Sequence, residues 1–146
     1  MTNELEAGPD HKAMIELIQR HWPEADIVTI EGGAFFSLDS EKHWPNFATI
    51  VWNDDFDQAS NLTRPGFFRV NIGLGRETFQ RLVGSITEPD HTVTNRLLPH
   101  PIYAKQNWIS IINPSEATVR GTVLPLISEA YGRLVERRQR RTSHDD

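Results

Sequence analysis

Between His11 and Trp22 the apolar residues Met14, Leu17, Ile18 and Trp22 recur at i, i+3, i+4 and i+8, which predicts one buried helix face. Asp10 stands ahead of that run as an N-cap and Pro23 ends it. The pattern then shifts to short β-branched and aromatic stretches. Ala25–Ile30 (ADIVTI) and Ala34–Leu38 (AFFSL) flank Gly32-Gly33, which predicts two strands joined by a tight turn. Asn46–Trp52 (NFATIVW) reads as a well-buried strand, Asn53–Gly66 as a turn-rich break, and Phe67–Gly73 (FFRVNIG) as the next strand. Arg76–Val83 predicts a short helix with Phe79, Leu82 and Val83 inward. Gly84–Gln106 carries Pro89, Pro99 and Pro101 with little periodicity, so it reads as a long loop, a length often tied to function. Asn107–Asn113 (NWISIIN) predicts the last strand, stopped by Pro114. A closing helix is expected from Thr122 to about Gln139, capped by Thr122, with Pro125 in its first turn and Val123, Ile127, Ala130, Tyr131 and Leu134 buried.

Consecutive strands with short turns pair antiparallel, and helices at the two ends must bury their apolar stripes against one face. The expected fold is therefore two-layer α+β, an antiparallel sheet covered on one face by N- and C-terminal helices. Neighbouring strand residues point to opposite faces. One member each of Phe35-Phe36 and Phe67-Phe68 must then leave the helix-covered face, giving an aromatic patch or a homodimer interface there.

The length of 146 residues and 38% hydrophobic content suit one domain over 1–146. Its ordered core is expected at about 10–139, between an acidic N-terminal tail and an arginine-rich C-terminal one. Having no Cys, the chain forms no disulfide, thiolate nucleophile or thiolate metal site, which fits a reducing compartment and a cytoplasmic expectation. No apolar run approaches the ~18 residues of a membrane span, and Met1–Asp10 is acidic, unlike a signal peptide. Positions 1–60 hold 12 acidic and 3 basic residues; positions 61–146 hold 8 acidic and 12 basic. The densest basic patch is Arg133, Arg137, Arg138, Arg140 and Arg141. It is a nucleic-acid contact on one reading, and a dipole-favoured, solvated helix end on the other. A net charge of −5 weighs against DNA binding over the whole surface.

Candidate chemistry gathers in the long loop and the strand after it: His91, Arg96, His100, Tyr103, Lys105, Asn107 and Trp108. A near-neutral imidazole, a phenol and a cation suit acid–base work or a ligand contact. Pro99-His100-Pro101 holds its imidazole on stiff backbone. NIGLGRE (Asn71–Glu77) leads from strand to helix, where backbone N–H groups and Arg76 suit an anion. It lacks the third glycine of a dinucleotide fingerprint. Asn53, Asp55 and Asp57 imitate half a calcium loop, but Gln58 and Arg64 occupy the positions that need Gly and Glu. A solvated turn is the expectation there. His43 with Asp39 and Glu41, or His91 with Asp90, fall short of a zinc ligand set. No G-x-S-x-G elbow is present.

The segments RLLPHPIYAKQNWISIINP and VLPLISEAYGRLVERR resemble the MmcQ/YjbR-like family in their Pro-x-Tyr, Lys, Asn-Trp and closing-helix pattern. More narrowly, HWPNFATIVWNDDFD, RPGFFRVNIGLGRETF and RLLPHPIYAKQNWISIINPSEAT resemble an actinobacterial domain of unknown function, number 6194. The resemblance implies a double-wing α+β domain, a shape for which DNA binding has been suggested, and implies no catalytic residues. The acidic Asn53–Asp57 departs from the basic wings of that group.

The leading expectation is a small non-enzymatic binding or interaction module. It would use the sheet face opposite the helices, rimmed by Gly84–Gln106, for a small molecule or a protein partner. His100, Tyr103, Lys105, Trp108 and Arg76 are the candidate contacts, and no cofactor is indicated. The alternatives are a nucleic-acid-binding protein using the arginine cluster, and a small enzyme using His100, Tyr103 and Lys105.

Overall fold

The computed structural model describes residues 7–38 and 45–145, and side chains as far as 140. Trp44, the His43, Asp39 and Glu41 group and the side chain of Arg141 lie outside the described residues. The fold is α+β: strands β1 (Asp26–Ile30), β2 (Gly33–Ser37), β3 (Asn46–Val51), β4 (Arg69–Gly73), β5 (Leu98–Pro99) and β6 (Trp108–Ile112) form one antiparallel sheet of order β1-β2-β3-β4-β6-β5.

Helix α1 (His11–His21) starts where Asp10 accepts a hydrogen bond from the Ala13 N–H at 2.8 Å. It buries Met14 and Ile18 completely. Strands β1 (Asp26–Ile30) and β2 (Gly33–Ser37) form the expected hairpin, with Gly32 at positive φ in its turn. Strands β3 (Asn46–Val51) and β4 (Arg69–Gly73) continue the sheet. Helix α2 (Arg76–Val83) buries Phe79 and Val83, and β6 (Trp108–Ile112) then pairs with β4. Residues of α1, of α2 and of the C-terminal helix share one core with the sheet, in which Phe36, Ile50, Val70, Ile109 and Ile127 are buried.

Two expectations need correction. The Gly84–Gln106 segment is not all loop: Leu98–Pro99 forms β5 against β6, and Ala104–Gln106 makes a 3-10 turn. A two-residue strand is too short to show periodicity, and Pro99 is tolerated because β5 is an edge. The closing helix begins before Thr122. Ser115 accepts from the Thr118 N–H at 3.2 Å, a turn at Glu116–Thr118 follows, and a π-helical turn at Val119–Val123 leads into α3 (Leu124–Asp145). Thr122 lies inside that wide turn. Pro125 has no N–H for the Gly121 carbonyl and its ring crowds that group, so the widened turn just upstream lets the helix continue.

Strand β3 also departs from simple alternation. Phe36 pairs with Ala48 and Ser37 with Asn46, which leaves Phe47 as an extra residue in a β-bulge. Strict alternation would put Phe47 beside Thr49 and Val51. The bulge instead turns Phe47 into the core and re-aims Asn46 to the opposite face.

Candidate functional site

The face of the sheet away from the helices carries Phe35 from β2, Asn46, Thr49 and Val51 from β3, Arg69 and Asn71 from β4, and Trp108 from β6. Phe56 and Asp57 close over it from the β3–β4 loop, and His100, Ile102, Tyr103 and Gln106 from the β5–β6 connection. Together they line a partly open cavity of about 540 Å³. Phe56, Ile102 and Tyr103, three of the exposed large hydrophobic residues, stand around it.

Its floor is a buried polar relay. Arg69 is only 1% exposed, although it sits in mid-sheet. It donates to both carboxylate oxygens of Asp57, at 3.0 and 2.7 Å, and to the Ser60 hydroxyl at 2.9 Å. Its Nε donates to Asn71 Oδ1 at 2.9 Å, and Asn71 passes a hydrogen bond to the Thr49 hydroxyl across the β3–β4 pair at 2.9 Å. A buried cation requires such pairing. Burial pushes the Asp57 carboxyl up, but hydrogen bonds and charge from Arg69, aided by the Ala59 N–H, outweigh it and hold the group below the usual carboxylate range. Asp57 is therefore no solvated turn residue, as its sequence neighbourhood suggests. The rest of that turn does fold on itself: Asn53 accepts from the Asp55 N–H and Asp54 from the Leu62 N–H, each at 2.9 Å.

His100 is buried on the cavity wall. Its Nδ1 accepts the backbone N–H groups of Ile102 and Tyr103, both at 3.0 Å. An acceptor at Nδ1 carries no proton, so the neutral ring holds its proton on Nε2. Burial, reinforced by the Arg69 charge and only partly offset by Asp57, brings its pKa down to about 3. At neutral pH His100 is a hydrogen-bond donor without charge. Nothing among the described residues accepts from that Nε2.

Trp108 lies flat across the sheet because Gly73 opposes it in register. A Cβ at Gly73 would come within 2.8 Å of the indole. Phe35 meets Phe56 edge to face, with centroids 5.4 Å apart. Of the doubled aromatics, Phe36 and Phe68 enter the core as alternation requires. Phe35 lines the cavity, while Phe67 is covered by the Arg64 guanidinium 3.8 Å above its ring. Arg64 also donates to the Ser60 and Thr92 carbonyls, each at 3.0 Å, tying the β3–β4 loop to the segment before β5.

Among the candidates read from the sequence, His100, Tyr103 and Trp108 come together on this cavity. Lys105 and Arg76 are exposed and line none of it. The His91 Nε2–H donates to the Pro99 carbonyl at 2.8 Å, a structural contact within the segment before β6. Arg133 packs against Gly75 at the start of α2, Arg140 faces Glu136 at 4.0 Å, and Arg137 and Arg138 are exposed along α3. None of these arginines lines the cavity. Sequence reasoning missed Arg69, Asn71, Thr49 and Asn46. The available signal was FFRVNIG, whose alternation puts two polar side chains, Arg69 and Asn71, on one face of a central strand.

A family model matches residues 9–143, that of a family of unknown function, DUF6194. The chain belongs to this family. No curated protein and no solved structure matches it. Among the described residues, no helix is long and apolar enough to cross a membrane.

Proposed function

We propose that this DUF6194 domain is a non-enzymatic small-molecule binding module whose ligand seats on the open sheet face. The observation that carries the reading is the cavity of about 540 Å³ built over the Thr49–Asn71–Arg69–Asp57 relay. Its volume falls in the roughly 300–1,000 Å³ range of ligand sites, and its composition is theirs too: mostly apolar and aromatic walls with a few fixed polar groups. The protonation states support binding over acid–base catalysis. A general base works best with a pKa near the operating pH, whereas the His100 imidazole lies far below it. Both Asp57 oxygens are occupied by Arg69. A chain without Cys suits a reducing, cytoplasmic setting for such a module.

The test is a fragment screen by ¹H–¹⁵N correlation spectroscopy on the full chain. Binding fragments should shift amides of Thr49 and Asn71 and the Trp108 indole N–H together. Shifts confined to α3, or none at millimolar fragment, would sink the reading.

A second reading is nucleic-acid contact through the exposed Arg137 and Arg138 at the end of α3, supported by the resemblance to MmcQ/YjbR-like proteins. It requires duplex affinity that falls steeply with salt and drops in an Arg137→Ala/Arg138→Ala variant. A flat salt dependence would dismiss it.

A further inference from the structure

We infer that the cavity selects an uncharged, planar aromatic compound bearing a carbonyl acceptor for His100 Nε2–H and an N–H or O–H donor for Asn46 Oδ1. The inference rests on the binding reading above and adds the chemical class of the ligand. Three observations carry it.

The first is charge. Asp57 and Arg69 are the only ionised residue types among the lining residues, and they form a bidentate pair. An ion entering the site would lose water and meet no uncompensated opposite charge, which is strongly unfavourable. A neutral molecule meets no such barrier.

The second is unmet hydrogen bonding. Asn46 Oδ1 is buried without a partner among the described residues, on a side chain that the β3 bulge turns to this face. A buried polar atom left unpaired is uncommon and unfavourable. On the β5–β6 side of the lining, the two backbone N–H groups that fix His100 Nδ1 as an acceptor leave Nε2–H as a donor for whatever enters. The site thus offers an uncharged acceptor at Asn46 Oδ1 and an uncharged donor at His100 Nε2.

The third is shape. Trp108 lies flat over Gly73, Phe35 and Phe56 pack edge to face, and Tyr103 stands 5.1 Å from the His100 ring. Flat aromatic walls pack best against another flat ring.

The probe is 2-acetyl-6-(methylamino)naphthalene, a neutral fluorophore with a carbonyl and an N–H whose emission reports polarity and hydrogen bonding. Its comparators are 2-(methylamino)naphthalene, which lacks the carbonyl, and 6-(methylamino)-2-naphthoate, which carries a charge. Titrations use the full chain at pH 7, read by fluorescence and by the Trp108 indole resonance. The ketone should bind at least tenfold tighter than either comparator. His100→Asn keeps an acceptor at the Nδ1 position and deletes the Nε2–H, so it should weaken the ketone about tenfold and leave the amine unchanged. Asn46→Ala should weaken the ketone and 2-(methylamino)naphthalene alike, which keeps the test decisive if the His100 variant folds poorly. Equal binding of ketone and amine, or of ketone and naphthoate, at the cavity would overturn the ligand class while leaving the binding module standing. Absence of any shift with all three compounds at millimolar concentration would also overturn it, and the fragment screen then decides separately whether the cavity binds at all.

Discussion

Asp57→Ala is the most informative perturbation of the fold. Arg69 and Asp57 are 2% and 11% exposed at their side chains, and their closest contact is 2.7 Å. Truncating Asp57 leaves the guanidinium with Ser60 and Asn71, two neutral partners, and no counter-charge. Removing one member of a buried ion pair typically destabilises by about 3–5 kcal/mol. Against a total of roughly 5–15 kcal/mol for a domain, that is a large fraction. Arg69→Met alone is milder, because Asp57 keeps more contact with solvent than the arginine does. The double variant Asp57→Ala/Arg69→Met removes both charges and should lose less than the Asp57→Ala single variant, since apolar replacement of a buried pair is often close to neutral. Urea unfolding followed by tryptophan fluorescence and far-ultraviolet circular dichroism gives each free energy, with coincident transitions checking two-state behaviour. The cycle through the pair should show a coupling of at least about 2 kcal/mol. Adding salt should change it little, because a buried pair is poorly screened. An Asp57→Ala loss below about 1 kcal/mol, or single losses that simply add up to that of the double, would refute the argument that this pair anchors the sheet face.

Acid sensitivity follows from the same site. His100 has a folded pKa of about 3 against an ordinary 6.5, so the unfolded chain binds its proton first. Its contribution is fully present above pH 6.5 and is lost as pH falls toward 3, at up to about 1.4 kcal/mol per pH unit. Asp57, also held low, adds a loss below its ordinary pKa of 3.8. Urea midpoints measured from pH 7 to pH 4 should fall, and His100→Asn should flatten that slope; an unchanged slope would contradict the assignment. Gly73→Ala should destabilise by about 1–3 kcal/mol and shift tryptophan emission, since the new methyl would overlap the indole of Trp108. Wild-type stability and emission in that variant would show that the ring does not lie where the register places it.

Much of the architecture was legible from local pattern. The 3.6-residue stripe of Met14, Ile18 and Trp22, the Asp10 cap, and the strands around Gly32-Gly33 need no knowledge of the rest of the chain. The doubled aromatics also spoke correctly: alternation alone required that Phe35 and Phe36 part, and Phe35 does reach the open face. The closing helix was harder. Thr122 and Pro125 look like helix-start residues, and the wide turn at Val119–Val123, which buries Val119 and Val123 in the core, carries the helix past them.

The site itself was half legible. His100, Tyr103 and Trp108 stand close in sequence, so their candidacy needed only residue type and a proline-stiffened segment. That Lys105 and Arg76 point elsewhere, and that Asp57 reaches across to Arg69, depended on how loops fold back over the sheet. The Phe47 bulge that delivers Asn46 to the cavity likewise exists only once β2 and β3 are paired.

What the sequence by itself determined is the set of elements and the two faces of each strand, because helix and strand periodicities are properties of a few consecutive residues. What the tertiary structure alone decided is which polar groups meet on the open face and how they ionise. Those outcomes depend on burial and on pairing between strands and loops distant in the chain, and no local pattern encodes either.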